Sequence, residues 1–306
     1  MSTLNKPLVS IALCTYNGQQ HLCEQLDSLV NQTYSHIEIV AVDDQSTDET
    51  YQILQRYAAK YPWIKVWQNQ ENRGFVKNFE HAMQLCKGEF IALSDQDDIW
   101  ELTKIEQQVN AIGSNALVYH DSLCIDQNGQ SLAYKLSDVY TLYEGKQPYP
   151  FFFFNCVSGH SMLFKKDLLR DIFPLDPRYF HDRWIAFIAT ERGGIKLINA
   201  PLVRYRQHGS SQTDLLKLKA PIGDADRFFN AKSLDWLSIS AKKSLRYANY
   251  LDAILDCFNA EYTIRSRFRL YLLMSSKASI LFYPVKKSWL STLNFIRKIC
   301  FLPRHS

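Results

Sequence analysis

Short apolar runs alternate with helix-spaced apolar residues over the first hundred positions of the chain. The runs at 8–14, 37–42, 64–67 and 90–93 have the length of buried strands. Between them, apolar residues recur at intervals of three and four, the spacing of an amphipathic helix. Because this alternation is typical of α/β proteins, we predict a mainly parallel central sheet flanked by helices.

Three polar clusters follow three of these runs directly: Thr15-Tyr16-Asn17, Asp43-Asp44 and Asp95-Gln96-Asp97. Ligand crevices in open α/β sheets lie just beyond the carboxyl ends of the strands, so we expect the clusters to gather along one edge of the sheet. Two close carboxylates repel each other unless a cation lies between them, and a divalent ion with oxygen ligands is the simplest partner. The third cluster is therefore a candidate metal site.

The same acidic stretch also has a structural interpretation. Asp97 and Asp98 could cap a helix that begins near Trp100, because anions are favourable at helix N-termini. Ser46 and Glu49 similarly have the spacing of a capping box. From the acidic stretch alone, metal site and helix cap are equally open.

Missing motifs exclude several functions. The chain has neither the glycine fingerprint of dinucleotide-binding folds nor a P-loop, so bound phosphates are expected to be neutralised through a metal. The net charge of +4 indicates no particular partner, and no apolar segment has the length of a membrane-spanning helix. Seven dispersed cysteines without a C-x-x-C pair are typical of buried, reduced thiols in the cytoplasm.

The pattern changes after residue 115. The run at 116–126, followed by Asn128-Gly129, predicts a strand and a hairpin turn. The polar and aromatic stretch 140–150 predicts a surface loop, and the phenylalanines at 151–154 predict buried core. The regular alternation of strands and helices therefore ends at about this point of the chain.

Two ionisable residues in this half are candidates for chemistry. Asp182 stands at the start of a predicted helix, where it is either an N-cap or a general base in a partly apolar cleft. His208 lies between a basic strand and a glycine turn, where it is either a structural histidine or a metal ligand.

With these residues in view, the chain resembles the inverting family 2 glycosyltransferases of the GT-A fold. The resemblance covers about residues 7–212, and six motifs in order make it specific. They are Val9-Ser10-Ile11-Ala12-Leu13-Cys14-Thr15-Tyr16-Asn17-Gly18, Val42-Asp43-Asp44-Gln45-Ser46-Thr47-Asp48, Asn72-Arg73-Gly74, Asp95-Gln96-Asp97-Asp98-Ile99-Trp100, His181-Asp182-Arg183-Trp184 and Tyr205-Arg206-Gln207-His208-Gly209-Ser210.

The resemblance implies a nucleoside diphosphate-sugar donor, a divalent metal and a glycan acceptor. The residues implied to bind the nucleotide-sugar are Thr15, Tyr16, Asn17, Asp44, Arg73 and Asp95. The residues implied to bind Mn²⁺ or Mg²⁺ are Asp97, Asp95 and His208. Asp182 matches the catalytic base, and the residues implied to lie near the acceptor are Gly159, His160 and Trp184. Similar enzymes assemble bacterial surface polysaccharides, many as rhamnosyltransferases, which implies transfer to a lipid-linked, lipopolysaccharide or capsule glycan.

Beyond residue 213 the resemblance fades, and a helical appendage is predicted. Residues 1–213 would form the catalytic domain, with a nucleotide-sugar half at about 1–115 and an acceptor half at about 116–213, and 214–306 the appendage. Its last 46 residues are strongly basic, with one acid, Glu261, and interleaved aromatic residues. Basic amphipathic helices of this kind suit an anionic membrane surface, although a packed appendage with solvated arginines is the alternative. No nucleic-acid-binding motif is present.

The sequence thus predicts a cytoplasmic, metal-dependent inverting glycosyltransferase, peripheral on the inner face of the cell membrane. Two alternatives remain open at this point. One is a non-catalytic nucleotide- or glycan-binding scaffold of the same fold, and the other is a nucleotidyltransferase with a similar acidic metal site.

Overall fold

The computed structural model describes residues 6–207, 230–260 and 263–301. They divide into two compact units. The first contains residues 6–138, 144–146 and 157–207, and the second contains the remaining described residues. The predicted metal ligand His208 lies outside the described residues.

One sheet organises the first unit. Its order is β3-β2-β1-β4-β8-β6-β9-β5, and β7 pairs with β6. The strands are β1 Val9–Thr15, β2 Ile37–Asp43, β3 Ile64–Gln68, β4 Phe90–Ser94, β5 Ile99–Trp100, β6 Leu117–Ile125, β7 Ser131–Lys135, β8 Leu163–Lys165 and β9 Ile195–Arg206.

The first four strands are parallel, as their apolar runs predict. β1 pairs on one side with β2 and on the other with β4, so the chain reverses direction across the sheet at β1. β1 is buried along its whole length, which accounts for a run without polar–apolar alternation. A ligand crevice is expected beyond the carboxyl ends of β1 and β4, where the strand order reverses.

Residues after 115 extend this sheet with both parallel and antiparallel strands. β8 runs antiparallel to β4 and to β6, whereas β6 and β9 are parallel. The predicted hairpin turn at Asn128-Gly129 joins the antiparallel pair β6 and β7, with Gly129 at a φ of +81°. The α/β prediction is therefore confirmed, with a parallel first half and a mixed second half.

The helices are numbered along the described chain. They are α1 Leu22–Val30, α2 Thr50–Lys60, α3 Phe75–Leu85, α4 Lys104–Ile112, α5 Leu136–Val139, α6 Tyr149–Phe153, α7 Leu169–Ile172, α8 His181–Arg192, α9 Ala231–Lys243, α10 Ala248–Asn259, α11 Ile264–Ser276, α12 Ala278–Leu281 and α13 Trp289–Phe301. Gly159–Ser161 and Lys166–Leu168 form short 3-10 helices.

Neither of the two helix caps that the sequence left open forms in the structure. Asp97 and Asp98 precede strand β5, and the next helix begins only at Lys104, so these carboxylates cap no helix. Helix α2 begins at Thr50, after the proposed capping box, and its first amide donates to the Asp48 carboxylate at 2.9 Å. Helix-forming residues follow both acidic loops at a short distance, which is why the sequence suggested caps.

The second unit has an aromatic interior. Phe151 and Phe152 are buried, as predicted, and the Trp236 indole donates to the Phe151 carbonyl at 3.1 Å. The prediction of a surface loop at 140–150 is wrong in part, because Tyr143 and Tyr149 are also buried. The ring of Tyr149 packs edge-on against the rings of Phe152 and Tyr247, which stabilises this interior beyond the burial of apolar surface.

Within the described residues, no helix combines the length and the apolar composition that crossing a membrane requires. All seven cysteines lie in the described part of the chain, and none of them forms a disulfide. Six of them are buried, and Cys23 on α1 is exposed.

Candidate active site

The loops that follow β1 and β2 are joined by hydrogen bonds. The Asn17 side-chain oxygen accepts from the Thr47 amide at 2.8 Å, and the Asn17 amide donates to the Ser46 hydroxyl at 2.8 Å. Thr15 is buried and donates to the Asp43 carboxylate at 2.9 Å. The first two polar clusters therefore form one continuous rim at the carboxyl end of the sheet.

Asp44 organises a third segment of this rim. Its carboxylate accepts from the Asn69 side chain at 2.7 Å and from the amides of Arg73 and Gly74 at 2.9 Å each. Gly74 has a φ of +77°, a left-handed conformation that glycine adopts without strain. The Arg73 side chain is exposed, so its guanidinium faces solvent at the edge of the rim.

Gln96, the middle residue of the acidic cluster, ties the cluster to the β1 loop. Its side-chain oxygen accepts from the Tyr16 amide at 2.8 Å, and its side-chain nitrogen donates to the Tyr16 carbonyl at 3.0 Å. A Cβ at Gly18 would lie 2.2 Å from the Gln96 side-chain oxygen, so any other residue there would displace the Gln96 side chain. The sequence motifs include both residues, but sequence reasoning assigned no role to either of them.

The acidic loop itself, Asp95–Asp98, concentrates negative charge in a confined space. Burial and the nearby carboxylates of Asp97 and Asp182 raise the pKa of Asp95 to about 7. Burial, together with Asp97 and Asp95, also raises the pKa of Asp98 well above its ordinary value, and the hydrogen bond from the Arg206 amide and the Lys104 side chain oppose this. Such crowding of carboxylates in a cleft is typical of functional sites.

Helix α8 supplies the predicted base. Asp182 lies in its first turn, near enough to Asp95 for their charges to interact. Gly159 lies against the same turn, because a Cβ there would be 3.2 Å from His181 Nε2 and 3.9 Å from Asp182 Cβ. The structure thus brings Asp182 and Gly159 close to the acidic loop.

His160 lies beneath the acidic loop. Its ring is buried, its Nε2 hydrogen-bonds the Ser122 hydroxyl at 2.8 Å, and the ring stacks on Tyr205 with centroids 4.2 Å apart. Its Nδ1 is 3.8 Å from Asp98 Oδ2. We predicted His160 near the acceptor, but burial on this scale leaves no surface on which an acceptor could contact it.

A divalent cation fits this loop. One ligand atom each from Asp95, Asp98 and His160 lie within 4.8 Å of one another. Asp98 is fully buried, and among the described residues its Oδ2 has no hydrogen-bond partner, an arrangement that a cation would satisfy. Asp97 belongs to the same loop and is half-buried, so it also remains a candidate ligand.

Trp184 does not line the crevice. It is buried, its indole nitrogen donates to the Ile172 carbonyl at 2.9 Å, and its ring stacks on Phe187. These contacts hold α8 against the preceding segment. The predicted acceptor role for Trp184 therefore lacks an accessible surface in this structure.

Comparison with known proteins shows the family of the chain. Residues 10–173, more than half of the chain, match the family model described as Glycosyl transferase family 2. The chain belongs to this family. This transferase is 28% identical over 225 residues to an uncharacterized glycosyltransferase of Haemophilus influenzae, a match that covers 69% of each chain.

Solved structures similar to the transferase have the GT-A fold. TarS 1–349 of S. aureus, crystallised with UDP-GlcNAc, has a TM-score of 0.59 at 17% identity and covers 90% of this chain and 81% of its own. The mannosyltransferase PcManGT of Pyrobaculum calidifontis, in complex with GDP-Man and Mn²⁺, has a TM-score of 0.52 at 17% identity, with coverages of 97% and 86%. The GT-A prediction is confirmed.

Proposed function

We propose that this transferase is a metal-dependent inverting enzyme that moves a sugar, with rhamnose as the first candidate, from a nucleoside diphosphate to a glycan hydroxyl. The observation that carries the proposal is that Asp182 and Asp97 lie near enough to Asp95 for their charges to interact, just beyond the carboxyl ends of the neighbouring strands β1 and β4. A binding scaffold has no need for a carboxylate opposite the acidic loop. Solved GT-A neighbours crystallised with nucleotide-sugars support the donor class.

The donor would lie along the rim that the first three polar clusters form. The exposed ring of Tyr16 is 48% accessible and could stack on the base, and the exposed Arg73 side chain could neutralise phosphate charge. Thr15 and Asp44 are engaged in internal hydrogen bonds, so their contribution would be to hold the loops. Asn17 joins the same two loops.

Asp95 and Asp97 would hold a divalent ion, with Asp98 and His160 behind them, and His208 as a predicted further ligand. When bound, the ion would neutralise charge that develops on the leaving diphosphate and orient it. The neighbour PcManGT, crystallised with Mn²⁺, supports a divalent metal in this fold.

Transfer would be a single displacement. Asp182 accepts the proton of the acceptor hydroxyl, whose oxygen forms a bond to the anomeric carbon. The bond between that carbon and the diphosphate oxygen breaks, and its electron pair leaves with the nucleoside diphosphate. Attack and departure on opposite faces invert the anomeric configuration. Gly159 packs against the first turn of α8, so the acceptor residue proposed from the sequence lies beside the base.

The acceptor proposed is a lipid-linked, lipopolysaccharide or capsule glycan, reached at the inner face of the cell membrane. Helix α11 supports this proposal. Ile264, Phe268 and Leu272 recur every four residues on one face of the helix and are 84%, 53% and 52% exposed, and Arg265 and Arg269 follow two of them directly. An exposed apolar stripe among arginines suits an anionic lipid surface.

Calorimetry with uridine, thymidine and guanosine diphosphate-sugars, with and without Mn²⁺, tests the proposal. We expect one donor to bind in a metal-dependent manner, and a thymidine donor would favour rhamnose. Absence of binding to every donor would contradict the proposal and favour the scaffold. Turnover of a nucleoside triphosphate with a sugar phosphate would favour the nucleotidyltransferase.

A further inference from the structure

Arg206, at the end of β9, has a buried guanidinium that donates to three separate parts of the first unit. Its Nε donates to the Asp97 carbonyl at 2.7 Å, and one terminal nitrogen donates to the Gln127 carbonyl at 3.0 Å and the Asp126 carbonyl at 3.4 Å. The other terminal nitrogen pairs with the Glu24 carboxylate at 2.6 Å. The side chain is only 1% exposed.

Arg206 therefore holds the acidic loop through two of the residues in that loop. The Arg206 amide donates to Asp98 Oδ1 at 3.1 Å, while its side chain binds the Asp97 carbonyl, so backbone and side chain fix two consecutive loop residues. The anchors on the far side are α1, through Glu24, and the β6–β7 turn. A planar guanidinium with five N–H donors can donate hydrogen bonds to three separate partners at once, whereas a lysine ammonium on a flexible side chain cannot.

We propose that Arg206 is a positioning residue for the divalent metal: it fixes the backbone of Asp97 and Asp98 so that the carboxylates of the acidic loop are prearranged for the ion. This inference rests on the proposed metal dependence, because it assigns Arg206 a role only through the loop. Arg206 does not contact the donor or acceptor in this assignment. Residues that support metal ligands in this way typically change metal affinity about 10- to 100-fold when they are replaced.

The test is Arg206→Lys, which keeps the positive charge but cannot make the same set of hydrogen bonds. Mn²⁺ affinity is measured by electron paramagnetic resonance of free Mn²⁺, in the presence of whichever of UDP, dTDP and GDP the wild-type chain binds. We expect a roughly 10- to 100-fold weaker Mn²⁺ affinity. Nucleotide binding without metal should change less than about twofold, because the rim loops are untouched. A purely structural role would lower both together.

Arg204→Lys is the matched control. Arg204 lies two residues earlier on the same strand, is exposed, and lies 3.5 Å from the Glu101 carboxylate, so its replacement should leave Mn²⁺ affinity unchanged. If Arg206→Lys does not fold, Glu24→Ala decides instead. Glu24 is 59% exposed, and its loss removes a single anchor of the guanidinium, which should weaken Mn²⁺ binding several-fold.

The outcomes separate this inference from the proposed function. Wild-type Mn²⁺ binding that persists unchanged in Arg206→Lys, or in Glu24→Ala where that variant decides, overturns the role of Arg206 alone. A wild-type chain that binds a nucleotide-sugar but no Mn²⁺ overturns both the metal dependence and this inference. If Arg206→Lys loses metal-free nucleotide binding to the same extent as Mn²⁺ binding, the role of Arg206 as a positioning residue for the metal is also overturned.

Discussion

His181 is buried against Phe79, with ring centroids 4.4 Å apart, and burial lowers the pKa of His181 to about 4. In the unfolded chain its pKa returns to about 6.5, so between these values the unfolded state binds more protons than the folded state. The stability that neutral His181 contributes is complete above pH 6.5 and is lost as the pH falls. We expect a loss of about 2 kcal/mol from this residue by pH 5, measured by urea unfolding at pH 7.5 and pH 5.

His181→Phe should reduce that pH dependence, because phenylalanine can stack on Phe79 without titrating. The buried residues His160 and His120, whose pKa values burial also lowers, add to the loss of stability, whereas Asp95 and Asp98, whose pKa values are raised, oppose it. The difference between wild type and His181→Phe therefore isolates the contribution of His181. His36→Gln serves as a control at an exposed histidine. Equal losses of unfolding free energy in wild type and His181→Phe would contradict a neutral buried His181.

Asp182→Asn should abolish the base while leaving the donor site intact. An amide cannot accept the proton of the acceptor hydroxyl, so we expect transfer to fall about 10²- to 10⁴-fold. Transfer is measured as release of the nucleoside diphosphate in the presence of a glycan acceptor, and donor affinity by calorimetry. Asp176→Asn, at a carboxylate paired with Arg178, is the control, and wild-type turnover in Asp182→Asn would disprove the assignment.

Single residues were predictable from the sequence where their chemistry is local. Asp95 and Asp97 directly follow a strand, so a crevice position could be inferred from sequence order alone. Gln96 and Arg206 were not predictable as structural links, because their partners lie 80 and 109 positions away. The burial of His160 and Trp184 was missed for the same reason, since it depends on segments distant in the chain.

Helices and strands of the first hundred residues follow their apolar periodicity closely. The ends of these helices were less predictable. A side chain that could cap α2 or α4 can instead form hydrogen bonds within the preceding loop, and the helix then begins at a later residue. Ser46, for example, donates to the Asp43 carboxylate and accepts from Asn17. It therefore stabilises the loop, and the helix starts later.

The link between the β1 loop and the acidic loop gives a prediction at the scale of elements. In Gly18→Ala, the new methyl group would displace the Gln96 amide, and both hydrogen bonds to Tyr16 would be lost. The flexible Gln96 side chain can move, so we expect a stability loss of only about 1–2 kcal/mol in thermal unfolding. The loss of donor affinity should be larger than this loss of stability, because Tyr16 is no longer held beside the acidic loop.

Gln96→Ala provides the comparison for that variant. It removes the same hydrogen bonds without adding a methyl group, so both variants should weaken donor binding to a similar extent. Full donor affinity in both variants would show that the two loops need not be linked.

At the scale of the whole molecule, the exposed stripe on α11 should bind vesicles that contain anionic lipid. Phe268→Ser combined with Leu272→Ser removes two apolar contacts, so partitioning should fall at least about tenfold. Flotation with phosphatidylglycerol–phosphatidylcholine vesicles measures it, and Leu245→Ser, at an exposed leucine outside the stripe, is the control. Unchanged flotation of the double variant would argue against this surface.

Net charge and hydropathy alone would have overestimated this surface. Arg267 belongs to the basic tail by sequence, yet its side chain is buried beside Phe258 and cannot meet a lipid. The division into units likewise depends on contacts between distant segments, such as the bridge between Tyr140 and Val285. Neither feature has a signature in a local window of sequence.

The exposure of Cys23 alone among seven thiols has a practical result. A maleimide dye should react with the native chain at one position, without any engineered cysteine or removal of the others. That position is on α1, directly before Glu24. A fluorescent dye on Cys23 would therefore lie next to Glu24, the carboxylate that pairs with Arg206. Changes in its fluorescence could report the binding of a nucleotide or metal at the candidate site.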